Sequence, residues 1–221
     1  MTKTIKFIIS LLLTVSLLTP ILPANAKTIY QPEHIAKFRI ERDVGIINIQ
    51  GMIDTDTAEQ TKQAFELFKN SNIKNVIIHL HSLGGQVSSG MEVINLMIAA
   101  GKFNIRVVTM VDHGEYCASM CTAIFAAGVS RIAAADTIWM FHSPAVKLSE
   151  EDKGDPGKVA EAKESVRISR LYMLSVYRYA DPKFTEEVLD AYVNDDSGKT
   201  LILFGGEIIK HTDFITFGVV N

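Results

Sequence analysis

The chain predicts an α/β fold: a layered domain of repeated β-β-α units with a long helix in its C-terminal half. Three observations carry this. Between Phe38 and Phe141, apolar strand-like runs alternate with stretches whose apolar residues recur at helical spacing. Glycines fall where the period changes, at Gly84-Gly85, Gly101 and Gly128. Residues 158–179 read as one long amphipathic helix through Val166, Ile168, Leu171, Tyr172, Leu174 and Val176. Strands separated by helices call for parallel crossovers, and so for a sheet layered with helices.

Each element follows from local pattern. Residues 37–42 and 44–50 are rich in Ile and Val and predict two strands. Residues 54–70 predict a helix, because Ala58, Thr61, Ala64, Phe65 and Phe68 share a face and Thr55 or Asp56 can cap it. A strand over 75–81 leads through Gly84-Gly85 into a helix containing Val93, Ile94, Met97 and Ile98, which Gly101 stops. A strand over 105–111 leads to a helix over 122–127. Short strands follow at 131–134 and 137–142, around an Ala135-Asp136 turn. The polar stretch 148–157 predicts a mobile surface loop. After the long helix, Asp181-Pro182 is a break, 184–193 a second helix, 201–204 a strand and 207–210 the start of a last helix, with 215–220 closing the chain. There is no internal repeat and no low-complexity tract.

The first residues predict a removable signal. Lys3 and Lys6 precede the apolar run 7–18, and Ala24-Asn25-Ala26 has the small-x-small form of a cleavage site. The expected organisation is a signal peptide over 1–26 and one domain over 27–221, exported to a periplasm or secreted. Losing Lys3 and Lys6 moves the formal charge from -3 to about -5, since residues 1–26 hold no acid. A mildly acidic chain without a basic run gives no footing for nucleic acid. No later stretch is long and apolar enough to span a bilayer.

The chemistry concentrates at Gly114-Glu115-Tyr116-Cys117-Ala118-Ser119-Met120-Cys121, between an apolar strand and an apolar helix. Ser119 falls at a helix N-terminus, where unpaired N–H groups and the positive end of the helix dipole face outward. A hydroxyl there can attack a carbonyl, and nearby N–H groups can hold the oxyanion. Ser is also a preferred helix cap, which is the plainer role. The two cysteines, Cys117 and Cys121, bracket Ser119. In an oxidising compartment they can form a disulfide that would fix the shape of this turn, and two buried thiols are the alternative.

Three segments together resemble the Clp protease proteolytic-subunit family of the ClpP/crotonase superfamily. They are His81-Ser82-Leu83-Gly84-Gly85-Gln86-Val87, Cys117 to Gly128, and Met140-Phe141-His142-Ser143-Pro144. The resemblance implies a ClpP/crotonase-like fold and a serine peptidase acting on peptides or proteins. It makes Ser119 the nucleophile, His142 the general base, and the N–H groups of Gly85 and Met120 the oxyanion donors. The acid falls at Asp195, with Asp196 as the alternative. It implies neither metal nor organic cofactor, and it makes the long helix a handle for homo-oligomers. The chain departs from the family where Asn-Ser-Pro becomes His81-Ser82-Leu83, losing a rigid proline. The family's cytosolic ATP-consuming unfoldase does not carry over to an exported chain.

Rival readings remain at this level. His79 and His81 share a strand face and suggest a metal pair lacking a third ligand. His113 or Lys147 can compete for the base role, Lys147 only if desolvated. Two other functions fit the same fold: a catalytically inactive binding or scaffold protein, and a crotonase-like thioester enzyme that keeps the oxyanion hole without a serine nucleophile.

Overall fold

The computed structural model describes residues 35–193 and 200–219; the expected signal peptide over 1–26 lies outside them. An antiparallel hairpin opens the fold, β1 (Ile35–Glu41) on β2 (Val44–Ile53). Helix α1 (Thr55–Asn70) then crosses to β3 (Asn75–Gly85), parallel to β2. Helix α2 (Val87–Gly101) crosses to β4 (Arg106–Val111), parallel to β3 on its other side. This is the expected β-β-α succession.

The apolar alternation decides which face is covered. Val76, Ile78 and Leu80 of β3 are buried and stand in register with Gly45, Ile47 and Ile49 of β2. Gly45 is set so close to the ring of Phe68 that a methyl group there would fall 2.7 Å from it, so α1 lies directly on β2. The opposite face carries Asn48 beside His79 and Gln50 beside His81, polar and half-buried or exposed.

Strand β3 then does something its sequence does not announce. Its first half pairs with β4, but Ser82 pairs with Cys117 of a separate three-residue strand, β5 (Tyr116–Ala118). A second set of strands builds outward from β5. Helix α3 (Met120–Ala126) and β6 (Ser130–Ala134, beside β4) intervene, then β7 (Ile138–His142) pairs with β5 in parallel. The Ala135-Asp136 turn therefore does not close a hairpin: β6 and β7 leave it for different neighbours. Strand β8 (Thr200–Phe204) runs antiparallel on β7, and β9 (Phe217–Val219) pairs with β6.

Two expectations change at helix starts. The cap of α1 is Asp54, not Thr55 or Asp56: its carboxylate accepts the Thr57 N–H at 3.0 Å and the Thr57 hydroxyl receives the Asp54 N–H at 3.3 Å, a reciprocal box. The polar stretch 148–157 is not a plain loop. Ser149 caps a short helix, α4 (Glu150–Lys153), and Asp155 caps α5 (Pro156–Ala180) with Pro156 at its first turn. Ser, Asp and Pro are helix-start residues as well as loop residues.

The C-terminal half is fastened by one buried cation. Helix α6 (Pro182–Val193) starts on Asp181, whose Oδ1 accepts the N–H groups of Lys183 and Phe184. Asp181 Oδ2 accepts the Asp213 N–H at 2.6 Å, just past helix α7 (Gly205–His211). Arg131 of β6 donates to the carbonyls of Gly128, Ala180, Asp213 and Phe214. Burial pushes its pKa down, and Asp181, Tyr179 and Asp213 pull it back up. Beneath β7, Trp139 and Phe141 sit fully buried against Phe125, Phe184 and Phe214. Truncating Trp139 to Ala would cost roughly 3–5 kcal/mol in such a packed cluster.

Candidate active site

The site forms where β3 changes partners. Its last two residues, Gly84 and Gly85, still pair with Met52 and Ile53 of β2, and the next strand over, β5, ends at Ala118, just before Ser119. Gly84 (φ 95°) touches the Ser119 turn itself. A methyl group on it would lie 2.6 Å from Ser119 Cβ, 2.8 Å from the Ala118 carbonyl oxygen and 3.0 Å from the Met120 nitrogen. No other residue type fits that approach. Gly85 leans the other way, onto Ile53, whose carbonyl takes the N–H of Gln86 at 2.7 Å.

Ser119 is half-buried and occupies the N-cap position of α3 at φ 53°, ψ -124°, yet its hydroxyl makes no capping hydrogen bond. That removes the plainer reading of a capping serine. A non-glycine residue at such angles stores roughly 1–3 kcal/mol of backbone strain, a pattern concentrated at functional sites. Four ties hold it. The Ser119 N–H donates to the Met140 carbonyl at 2.8 Å. The Ser119 carbonyl accepts the Thr122 hydroxyl at 2.6 Å and the Thr122 N–H at 3.0 Å. Cys117 and Cys121 are joined across it as a disulfide, with Cα atoms 5.3 Å apart and both residues fully buried. The cysteine pair is thus a cross-link, not two free thiols.

Thr122 extends this hold to α5. Its single hydroxyl proton goes to the Ser119 carbonyl, so the Tyr177 hydroxyl, 2.6 Å away, donates to it. Met120 opens α3, where first-turn N–H groups have no preceding acceptor within the helix, and its side chain is wholly buried.

His142 ends β7, the strand beside β5, two residues after the Met140 carbonyl that receives Ser119. It is half-buried, on the strand face opposite the buried Trp139 and Phe141. Its Nδ1 lies 2.8 Å from the Ser143 carbonyl. A carbonyl only accepts, so Nδ1 is the donor in this contact. Asp195 and Asp196 both lie outside the described residues.

The rival residues are placed elsewhere. His113 is exposed and pairs with Asp136 at 3.2 Å. Lys147 is exposed. His79 bonds Asp112 at 2.9 Å, and His81 lies 3.6 Å from Glu115 and against the Tyr116 ring. Among the described residues no group of three or more His, Cys, Asp or Glu can hold a metal ion.

Sequence reasoning passed over Ser82. Fully buried, its hydroxyl donates to the Gly51 carbonyl at 2.5 Å and accepts the Gly84 N–H at 3.0 Å. It fastens the glycine turn to β2, at a point where the expected proline is missing. The signal was available: a serine between a histidine and a leucine at a strand end, before two glycines, has a turn to hold.

A family model described as Clp protease matches residues 33–174. The chain belongs to the Clp protease family. Among solved structures it is similar to a mutant of ClpP1 from Listeria monocytogenes, with a TM-score of 0.63 at 17% identity. That alignment covers 80% of this chain and 91% of the other. At this identity the likeness speaks for the fold. No curated protein matches the chain. The match of the Clp protease model takes in the Gly84-Gly85, Ser119 and His142 segments and ends before the acid candidates. Among the described residues no helix is long and apolar enough to cross a membrane.

Proposed function

We propose that this Clp protease family member is an exported serine peptidase that hydrolyses peptide bonds by a Ser-His-Asp mechanism. The observation that carries the reading is Ser119: strained, half-buried, its hydroxyl unused as a cap, pressed against Gly84 and tied to the strand that ends in His142. In this reading Ser119 Oγ attacks the scissile carbonyl while His142 Nε2 takes its proton. The N–H groups of Gly85 and Met120 hold the oxyanion. The imidazolium returns its proton to the leaving amine, and water then repeats the cycle on the acyl-enzyme.

Asp195, or else Asp196, is the acid that steadies the imidazolium, taking over the Nδ1–H that otherwise faces the Ser143 carbonyl at 2.8 Å. Export is supported by the Cys117–Cys121 disulfide, since such bonds persist in oxidising compartments. Self-association through α5 is supported by the exposure of Ile168 and Leu171 on it.

Turnover tests the reading. An unfolded protein substrate and a short fluorogenic peptide should both be cut by the wild-type chain and left intact by Ser119→Ala. Cleavage that survives in Ser119→Ala would reject the nucleophile. Binding of coenzyme A derivatives without cleavage would favour the thioester chemistry instead.

A further inference from the structure

We infer that the Cys117–Cys121 disulfide is the covalent tie among those that keep Ser119 in its strained backbone, so that the site works faster in the oxidised chain than in the reduced one. This rests on the proposed role of Ser119 as the nucleophile.

The comparison lies within the molecule. The non-glycine residues at positive φ among those described are Arg42, Asn72, Asn104 and Ser119. The first three are exposed turn residues, and asparagine tolerates such angles. Ser119 differs in place. Its ψ of -124° lies far from the ordinary left-handed well, and it stands between two fully buried residues of rigid elements. Without restraint a serine there relaxes to a commoner conformation.

The restraints near it are short-reaching. Strand β5 has three residues and α3 has seven, so neither has the length to impose a turn by itself. The disulfide pins Cys117, in the middle of β5, to Cys121, the second residue of α3, at a Cα separation of 5.3 Å. A straightened run from 117 to 121 would span about 13 Å. The cross-link therefore excludes the extended runs and restricts the turn to compact forms such as the one that presents the hydroxyl. Two thiols must move apart within this buried space, so loss of the bond acts first on the turn between them.

The chemistry is a dithiol exchange. A dithiol reductant gives two electrons and two protons to the bridge. It becomes a cyclic disulfide, and Cys117 and Cys121 become thiols. A disulfide oxidant runs the step backward. The chain thus has a slower dithiol form and a faster oxidised form.

Three preparations test this: oxidised wild type, wild type reduced by excess dithiothreitol, and Cys117→Ala/Cys121→Ala, which the reductant cannot alter. Amide hydrogen exchange is followed at Ser119 and Thr122, with Ile78 as the core reference. Phosphonylation of Ser119 by a fluorophosphonate, and peptide kcat and KM, are followed in parallel. Losing the bond should reduce protection at Ser119 and Thr122 about tenfold or more and leave Ile78 unchanged. Labelling rate and kcat should fall by a similar factor with KM within about twofold. Unchanged exchange at Ser119 and Thr122 in both bond-free forms overturns the inference. If Ile78 loses protection in the double variant, that variant has unfolded and the reduced wild type decides. Should the oxidised chain show no labelling at all, the nucleophile reading fails, and exchange still decides whether the bond holds the turn.

Discussion

The two halves of the proposed catalytic pair are held in opposite ways. Ser119 is fixed from every side: a disulfide across it, a strand bond on its N–H, two bonds on its carbonyl from Thr122, and Gly84 against its Cβ. His142 has a rigid strand behind it and, ahead, only the Ser143 hydroxyl bonded to Arg170 at 3.2 Å and a buried Pro144 before the chain becomes exposed. Trp139 and Phe141 anchor β7 in an aromatic cluster, the ring has one short bond to its neighbour's carbonyl, and residues 145–147 beyond are exposed. A nucleophile gains from being preset, because each misplacement costs attack geometry directly. A base that must take and return a proton works with a ring that can shift slightly between two partners.

This contrast can be broken by substitution, and the effects should fall in order. Ser119→Ala should reduce peptide kcat by about 10³-fold or more with the melting temperature little changed, as steady-state kinetics and thermal unfolding would show. Gly84→Ala should be next, with a loss of about 10²-fold in kcat, because the added methyl displaces Ser119. It should also destabilise the fold by roughly 1–3 kcal/mol in denaturant titration, given the positive φ and the tight contact. Thr122→Val removes the hydroxyl between Tyr177 and the Ser119 carbonyl, and should cost about 1–2 kcal/mol and slow acylation without raising KM.

The smallest effect belongs to α5. The Tyr172 hydroxyl is buried with no hydrogen-bond partner among the described residues, and burial pushes its pKa above the ordinary 10.0. Tyr172→Phe should therefore be neutral or stabilising by up to about 1 kcal/mol. A raised folded-state pKa means that the folded chain keeps this proton longer than the unfolded one, so wild-type stability falls as pH rises past 10.0. The Phe variant should lack that component in alkaline unfolding curves.

How far the sequence reached follows the same division. Long elements were legible because periodicity accumulates: 55–70 and 156–180 were read within a few residues of their ends. Strand β5 was missed because three residues, one of them half-buried, carry no alternation. Without β5 the change of partners along β3 could not be seen, nor that 131–134 and 137–142 belong to different neighbours. The Asp54 cap was placed one or two residues late because Asp54, Thr55 and Asp56 are all competent caps, and only the Thr57 reciprocal bond chooses among them. Gly84-Gly85, Ser119 and His142 were found as motifs, and the structure sets the first two in contact and His142 on the adjoining strand. The supporting serine and threonine, Ser82 and Thr122, were not found, since a buried hydroxyl looks like any turn or helix residue until its partners are known. The acid candidates Asp195 and Asp196 stay at the level of expectation, outside the described residues.

The most direct check is the reaction of Ser119 with a fluorophosphonate in the presence and absence of the His142 ring, with the labelled residue identified by peptide mass spectrometry. The proposed mechanism requires modification at Ser119 alone in the oxidised wild type, and a rate at least about 10²-fold lower in a folded His142→Ala variant. Modification at another serine, or an undiminished rate once the imidazole is gone, would contradict it.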